Sequence, residues 1–343
     1  MPATPSQHAE APICVNVTRG SAVESVHRAR FAVVDTQGQA VLAGGDIESD
    51  VLPRSAVKPL QALALVETGA ADAFGLSETE LALACASHAG EPQHVEAVEA
   101  WLGRIGCTEA DLVCGGHPPN DEAARRALFA AGAPVRRVHD NCSGKHTGFL
   151  TLAQHLRAPT RGYAEAAHPV QQRVLGVLES MTGLADLPAR PHGGDGCGIP
   201  AYGMPLGNLA LGMARLGRPD DQPPGRQAAC ARIRAAMAAH PEMVSGTGRV
   251  DTRIMQRLAP AVLVKGGAEG VLAACLPGAG LGAAVKIADG GARAAPVVLG
   301  ALLAKLDLLA GADAEALAPV VAPAVFDRNG TRVGALERAG PIA

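Results

Sequence analysis

A chain of 343 residues with 48% hydrophobic and 18% charged side chains has the composition of a globular protein with a sizeable core. Aromatic residues make up only 2%, the formal net charge is −3, and the lysines and arginines are scattered, so neither a base-stacking platform nor a phosphate-tracking or membrane-binding face is indicated. We therefore expect a small-molecule partner, with no nucleic acid and no membrane.

The N-terminal segment gives no sign of export. Residues 1–10 are rich in Pro, Ser and Thr and predict a loose arm, without the basic region and apolar run of a secretory signal. No later stretch reaches the roughly 20 apolar residues that a membrane span needs. Eight widely spaced cysteines are then expected to be reduced thiols, and a cytoplasmic location is the expectation.

Strand patterns occupy both ends of the chain. Apolar and polar residues alternate in ICVNVTRG and in RARFAVVDTQGQAVLAGGD, where the DTQGQ turn predicts a hairpin. Near the C-terminus, PAVLVKGGAEGVLAACL and GLGAAVKIADGGA predict further strands. A last hairpin is expected across Arg328, Asn329 and Gly330.

Between these strand regions the hydrophobic period is helical. From Ser55 to about His240 apolar residues recur at helical spacing, and Ser77 with Glu80 forms a capping-box pattern. We predict a single α+β domain over residues 1–343, with a sheet subdomain of residues 12–53 and 241–343 and a helical lobe of residues 54–240. The active site is expected where sheet and lobe meet, because clefts form at such boundaries.

The first chemical signal is Ser55-Ala56-Val57-Lys58, at the start of the helical region. Residues three apart share a helix face, so we expect the lysine amine to reach the serine hydroxyl and, when neutral, to take its proton. Arg54 is a candidate for cationic support or for gripping a carboxylate. Taken alone, the pattern also fits an N-cap serine followed by a surface lysine.

The second and third signals are Ser87, in CASHAGE, and Lys265, in VKGG on a predicted strand. With Ser55 and Lys58 they reproduce the order of the serine–lysine motifs in β-lactamase-like enzymes. Glycines after Lys265 allow the strand backbone to approach a substrate. A solvated strand lysine is the alternative.

Two loops gather polar groups. HDNCSGKH contains Cys142 and Lys145. Because this loop runs into the N-terminus of a helix, its backbone N–H groups suit an anion or a developing oxyanion. HGGDGCGIP contains Asp195, which suits the amino group of an amino acid, and Cys197. The two cysteines are a nucleophile pair, a metal pair or two buried thiols, and Cys-x-x-Cys spacing is missing.

Taken together, PRSAVKPLQ, CASHAGE, GGHPP, NCSGKHTGFL, DGCGIP and VKGGAEG resemble the motif series of the Rhizobium-type (thermolabile, class 3) L-asparaginases, in order from residue 53 to residue 270. The resemblance implies a fold similar to serine β-lactamases and glutaminases. It also implies a homodimer that hydrolyses L-asparagine to L-aspartate and ammonia.

The same resemblance assigns residues. It implies two serine–lysine pairs, Ser55 with Lys58 and Ser87 with Lys265. It also implies a zinc ion held by two cysteines, a lysine and water, and these protein ligands fall on Cys142, Lys145 and Cys197.

We expect Arg54 and Asp195 to bind the α-carboxylate and α-amino groups of the substrate, with His88 and His146 as further candidates for substrate contact. The alternatives are a glutaminase or another β-lactamase-like serine hydrolase, and a non-catalytic relative that binds an amino acid or a metal.

Overall fold

A computed structural model describes residues 11–343, so the arm expected for residues 1–10 lies outside the described residues. None of the helices in this range combines the length and the apolar character that a membrane span requires. All eight cysteines fall in this range, and each is a buried free thiol.

Most strands belong to one antiparallel sheet. The strands of the described chain are β1 (Ile13–Arg19), β2 (Ala22–Asp35), β3 (Ala40–Gly44), β4 (Asp50–Val51), β5 (His192–Gly194), β6 (Pro200–Tyr202), β7 (Met204–Pro205), β8 (Leu263–Gly266), β9 (Val271–Leu276), β10 (Leu281–Ile287), β11 (Ala324–Phe326) and β12 (Arg332–Arg338). The main sheet has the order β11-β12-β1-β2-β10-β9-β8, with β3 also paired to β2. Strands β4 and β7 form one small sheet, and β5 and β6 form another.

Helices fill the chain between β4 and β8 and return near the C-terminus. They are α1 (Lys58–Glu67), α2 (Ala70–Ala73), α3 (Glu78–Ala84), α4 (Pro92–Arg104), α5 (Glu122–Ala130), α6 (Ser143–His155), α7 (Pro169–Thr182), α8 (Leu206–Gly217), α9 (Pro224–Ala239), α10 (Pro241–Val244), α11 (Val250–Leu258), α12 (Ala295–Lys305) and α13 (Gly311–Val321). Short 3-10 turns add to these, of which Arg54–Val57 matters most for the site.

The long strand β2 joins the two ends of the chain. Its first half pairs with β1 and its second half with β10, both antiparallel. The α+β fold with a sheet built from both chain ends and helices between is therefore confirmed. The hairpins expected at DTQGQ and across Arg328, Asn329 and Gly330 are confirmed as β2–β3 and β11–β12, as is the Ser77–Glu80 capping box. The single-domain division stays a prediction.

Helix α8 fastens the helical region to the sheet. Its residues Leu206, Leu209 and Met213 recur at helical spacing and are fully buried. The helix backbone lies so close to β10 that a Cβ at Gly282 would stand 2.0 Å from the carbonyl oxygen of Ala210. Only glycine permits this approach.

Helix α12 also packs on β9 and β10, and both strands are buried almost throughout. Since α8 contacts the same strands, both faces of this part of the sheet are covered. At the edge of this region, β8 leads towards the helical lobe and carries Lys265.

Candidate active site

A cavity of about 650 Å³ opens where β8 meets the helical lobe. Most of the residues expected at the site line it, namely Arg54, Ser55, Ser87, Cys142, Asp195, Cys197 and Lys265. Lys58 and Lys145 are buried directly behind this wall, at 1% and 2% exposure, and each bonds to a lining side chain. The structure therefore gathers five separate chain segments into one polar site.

Ser55 lies on the 3-10 turn Arg54–Val57, which leads directly into α1. Arg54 has a φ of 51°, a left-handed conformation that is rare for a non-glycine residue. Gly267, just after β8, packs closely against the start of this turn. A Cβ at Gly267 would stand 2.4 Å from the carbonyl oxygen of Pro53. Glycine at 267 thus brings Ser55 next to the strand that carries Lys265.

Ser87 follows the end of α3, and two lysine amines converge on its hydroxyl. Nζ of Lys58 lies 2.9 Å from Oγ of Ser87, and Nζ of Lys265 lies 3.0 Å from the same oxygen. Lys58 also donates to the carbonyl of Ala86 at 2.5 Å and to Sγ of Cys142 at 3.1 Å. Three acceptors match the three N–H groups of an ammonium.

The expected contact between Ser55 and Lys58 does not form. The three hydrogen bonds of Lys58 go elsewhere, and within residues 11–343 the Ser55 hydroxyl has no hydrogen-bond partner. The reason is that α1 begins at Lys58, so Ser55 lies on the preceding 3-10 turn rather than one helical turn away on the same helix. Ser87, which was expected to pair with Lys265, is instead contacted by both lysines.

Lys265 is the lysine whose charge is destabilised. Burial, with help from the nearby Lys58 charge, lowers the pKa of Lys265 to about 8, although the Asp251 carboxylate 3.9 Å away opposes this. About a tenth of this amine is then neutral at pH 7, against far less for an ordinary lysine, and this suits an amine that accepts a proton from a hydroxyl. The hydroxyl–amine geometry and the lowered pKa of the lysine therefore agree at Ser87 and Lys265.

Cys142, Lys145 and Cys197 meet beside this pair. Cys142 ends the loop before α6, and Gly144 lets α6 contact the end of α3, since a Cβ there would stand 2.6 Å from the carbonyl of Leu83. Nζ of Lys145 lies 3.1 Å from Sγ of Cys197. A hydrogen bond from Cys197, together with the charges of Lys58 and Lys145, holds the pKa of Cys142 well below its ordinary value.

This cluster fits a thiophilic metal ion in its donor types. In residues 11–343 no group of three His, Cys, Asp and Glu side chains is placed to hold a metal, so zinc at this position needs Lys145 as a protein donor. Two sulfurs and one nitrogen are ligands that zinc accepts. The charges of Cys142, Cys197 and Asp195 outweigh burial and raise the pKa of Lys145, so metal binding must displace its proton.

Arg54 and Asp195 face each other across the cavity mouth. Nε of Arg54 donates to Oδ1 of Asp195 at 2.6 Å. Asp195 begins the turn between β5 and β6, where its N–H bonds to the carbonyl of Ile199. Although burial acts in the opposite direction, the charges of Lys145 and Arg54 lower the pKa of Asp195, so its carboxylate stays ionised.

The two histidines expected near substrate lie behind the cavity wall. His88 is fully buried; its Nε2 bonds with Oγ of Ser143 at 2.9 Å and its Nδ1 accepts from the Gly90 N–H at 3.2 Å. Burial holds the pKa of His88 well below its ordinary value, so the ring is neutral. His146 bonds to the hydroxyl of Tyr163 at 2.7 Å and is equally buried. Both rings support the loops rather than line the cavity.

The structure adds lining residues that sequence reasoning missed, among them Asp251 and Arg249. Oδ2 of Asp251 accepts the Gly266 N–H at 2.8 Å and so holds the strand end beside Lys265. Asp251 and Arg249 lie at the start of α11, and the polar RVDTR run before an apolar strand was the signal that could have drawn attention to them.

The L-asparaginase II family profile matches residues 15–338 of the chain. The chain belongs to the L-asparaginase II family. Comparison with curated protein sequences yields no match. Among solved structures, the chain is similar to Mglu in its tris and glutamate form, with 16% sequence identity and a TM-score of 0.37 over 85% of this chain and 63% of that chain. The chain thus spans less than two thirds of the length of that protein.

Proposed function

We propose that this member of the L-asparaginase II family is an amidohydrolase that converts L-asparagine to L-aspartate and ammonia. The observation that carries the proposal is the convergence of Lys58 and Lys265 on the Ser87 hydroxyl, in the cavity that Ser55 also lines. A site that only bound an amino acid would gain nothing from burying two amines around one hydroxyl, because buried amines are costly.

In the proposed mechanism Ser55 is the nucleophile. Its hydroxyl is half-buried, lines the cavity and has no hydrogen bond to hold it within the described chain, so its oxygen is available to attack the side-chain amide carbon. The attack forms an aspartyl ester on Ser55 and releases ammonia. A water molecule then hydrolyses the ester, giving L-aspartate and the free serine.

Ser87 is the proposed proton relay. A hydroxyl can accept a hydrogen bond from the Lys58 ammonium while donating its own proton to a neutral Lys265 amine. In this proposal the Ser55 hydroxyl, which is not hydrogen-bonded within the described chain, turns towards Ser87 as it attacks. Its proton passes through Ser87 to Lys265 and returns by the same route to the departing ammonia. The expected pairing of Ser55 with Lys58 alone is thereby replaced by a path in which Lys58 holds the relay and Lys265 is the base.

Asp195 is proposed to bind the α-ammonium group of the substrate, because it stays ionised and faces the cavity. Arg54 holds this carboxylate in place through their ion pair. His88 supports the Ser143 end of α6 from behind the wall, which makes it a positioning residue in this proposal.

A zinc ion is proposed at Cys142, Lys145 and Cys197, supported by the motif resemblance and by the convergence of these donors. When bound, zinc supplies a positive charge next to the substrate-binding loops. The covalent steps above are carried by the serines and lysines. We also propose a homodimer, on the resemblance alone, and a cytoplasmic location. Light scattering of the purified protein tests the first and cell fractionation tests the second.

The decisive experiment is ammonia release from L-asparagine and L-glutamine by the wild-type protein and by Ser55→Ala. Release that favours asparagine and is lost in the variant supports both reaction and nucleophile. Preferential turnover of glutamine, or of a chromogenic β-lactam, would assign the chain to another serine-hydrolase activity. Binding without turnover of any of these would leave an amino-acid-binding relative.

A further inference from the structure

One of the cationic side chains that line the cavity has no acidic partner in the described chain. Arg54 is paired with Asp195, and Lys265 faces Asp251 at 3.9 Å. His117 lies 4.0 Å from Asp140. Arg249 is the remaining cationic side chain of the lining, and it forms no ion pair within residues 11–343.

The guanidinium of Arg249 has spare donors. Its Nε donates to Oγ of Ser245 at 3.3 Å, and no other side-chain hydrogen bond of Arg249 occurs in the described chain. An arginine has five N–H donors in a planar fork that matches a carboxylate. Ser245 is buried and also lines the cavity, so the pair directs a donor surface towards the same space as Ser55 and Ser87.

The loop that carries Arg249 is fixed in place. Both carboxylate oxygens of the buried Glu91 accept from Thr247, one from its N–H at 2.6 Å and the other from its hydroxyl at 2.8 Å. Gly246 adopts a φ of +125° and packs against the segment that contains Ala89 and Glu91. A Cβ at Gly246 would stand 2.5 Å from the Cβ of Ala89. The carbonyl of Gly246 accepts from Oγ1 of Thr252 at 2.6 Å.

The segment that contains Ala89 and Glu91 also carries Ser87. The N–H of Ser87 donates to the carbonyl of Val244 at 2.9 Å, so the chain just before the Arg249 loop is tied to the relay serine itself. The distance between the unpaired guanidinium and the reacting hydroxyls is therefore set by the folded chain before substrate arrives. Preorganisation of this kind reduces the entropy lost on binding.

We propose that Arg249 binds the α-carboxylate of the substrate and so restricts the enzyme to amides of α-amino acids. The inference rests on the proposed amidohydrolase function and revises the expectation that Arg54 binds this group. Arg54 already neutralises Asp195, which in turn receives the α-ammonium, whereas Arg249 brings an uncompensated positive charge. The α-ammonium group of a zwitterionic substrate then faces the Asp195 carboxylate, and its α-carboxylate faces the Arg249 guanidinium.

The test compares two substrates that differ only in the carboxylate: L-asparagine, and 3-aminopropanamide, which keeps the amide and the amine. The kcat/KM for ammonia release is measured for the wild type, Arg249→Gln, Arg249→Lys and Arg54→Gln. The matched control is Arg257→Gln, because Arg257 lies on α11 but pairs with Asp313 outside the cavity.

We expect Arg249→Gln to lower kcat/KM on L-asparagine about 10- to 100-fold, the range of a hydrogen-bonded charge, and to leave turnover of 3-aminopropanamide within about threefold. Arg249→Lys retains part of the preference. Arg54→Gln lowers kcat/KM for both substrates alike, since both carry the amine that Asp195 binds. Arg257→Gln behaves as the wild type. The inference is overturned if Arg249→Gln keeps the wild-type preference, if it loses both substrates equally, or if the preference disappears in Arg54→Gln instead.

Binding measured by calorimetry separates this inference from the reaction itself. L-Aspartate and β-alanine share an amine and a side-chain carboxylate, and only L-aspartate has the α-carboxylate. Arg249→Gln is expected to weaken the binding of L-aspartate about 10-fold or more and to leave the affinity for β-alanine unchanged. A wild-type protein that binds L-aspartate through Arg249 but releases no ammonia would refute the proposed function and keep the inference. Equal effects on both ligands would refute the inference.

Discussion

Nζ of Lys58 lies 2.9 Å from Oγ of Ser87, a residue 29 positions further along the chain. The contact makes Ser87, rather than the serine of the Ser-x-x-Lys motif, the oxygen on which both buried lysines converge. A lysine that already donates to three acceptors is well suited to hold a hydroxyl and poorly suited to accept its proton. The proton therefore goes to Lys265 in the mechanism proposed above.

Replacing Ser87 by alanine removes the relay and leaves Ser55 in place. We expect Ser87→Ala to lower kcat for asparagine hydrolysis about 100-fold or more, the usual contribution of a positioned proton-transfer group, with a much smaller change in KM. In Ser55→Ala, no aspartyl adduct should be seen by intact-protein mass spectrometry after acid quenching. An adduct that persists in Ser55→Ala and vanishes in Ser87→Ala would make Ser87 the nucleophile.

The rate should depend on pH through Lys265. Because the neutral amine is the base and its pKa is lowered to about 8, the active fraction rises as pH increases through that value. We expect kcat/KM to fall about tenfold per pH unit well below pH 8. Arg in place of Lys265 stays charged, so Lys265→Arg should lose this limb along with most of the activity. A flat profile between pH 6 and pH 9 in the wild type would contradict the assignment.

Gly267 tests whether close backbone packing positions Ser55. A Cβ at this residue would stand 2.4 Å from the carbonyl of Pro53, so Gly267→Ala must shift the turn that carries the nucleophile. We expect a loss of about 1–3 kcal/mol in the free energy of unfolding, the usual cost of overpacking, and a lower kcat. The measurements are urea unfolding and steady-state kinetics.

The matched control is Gly103→Ala in α4, where a Cβ meets no atom within 4 Å. Alanine is favoured over glycine inside a helix, so this variant should gain up to about 1 kcal/mol and keep its activity. If both variants behave alike, the close approach at Gly267 has no functional importance.

Local patterns in the sequence were sufficient to predict much of this architecture. Alternation predicted the strands at both chain ends, the turn residues predicted the hairpins, and the Ser77–Glu80 box predicted the start of α3. These features depend on residues close in sequence, whose geometry is set by period and turn chemistry. The order of the motifs also identified the segments that line the cavity.

The pairing inside the site could not be predicted in the same way. Whether Lys58 meets Ser55 or Ser87 depends on where the 3-10 turn gives way to α1 and on how α3 lies against it, which the i, i+3 rule does not determine. Arg249 was missed because the position of its loop depends on the Glu91–Thr247 contact across 156 positions. Asp251 was missed because its role depends on the bond to the Gly266 N–H, 15 positions away. Contacts of this range arise from packing rather than from local pattern.

The metal proposal can be tested without measuring activity. We expect about one zinc per chain in the wild type by elemental mass spectrometry, and zinc-free protein for Cys142→Ala and Cys197→Ala. Lys145→Met should lower the affinity for zinc, measured by competition with a chelator, because a protein donor is lost. Cys107→Ala is the control, since this thiol lies outside the cavity and contacts Gln154. Wild-type protein that takes up no zinc, or the same zinc content in all variants, would refute the site.

Glu91 is expected to act on substrate binding through the loop it holds. In Glu91→Ala, Thr247 loses both of its acceptors, so the segment from Ser245 to Arg249 should become mobile while Ser87 keeps its lysines. We expect KM for L-asparagine to rise about tenfold or more, with kcat reduced much less, because ordering the loop becomes part of the binding free energy.

Hydrogen exchange should show faster exchange in this loop of Glu91→Ala. Glu91→Gln keeps an acceptor oxygen and should recover part of the affinity. A fall in kcat with KM unchanged would instead assign Glu91 to the chemistry at Ser87 and not to the position of Arg249.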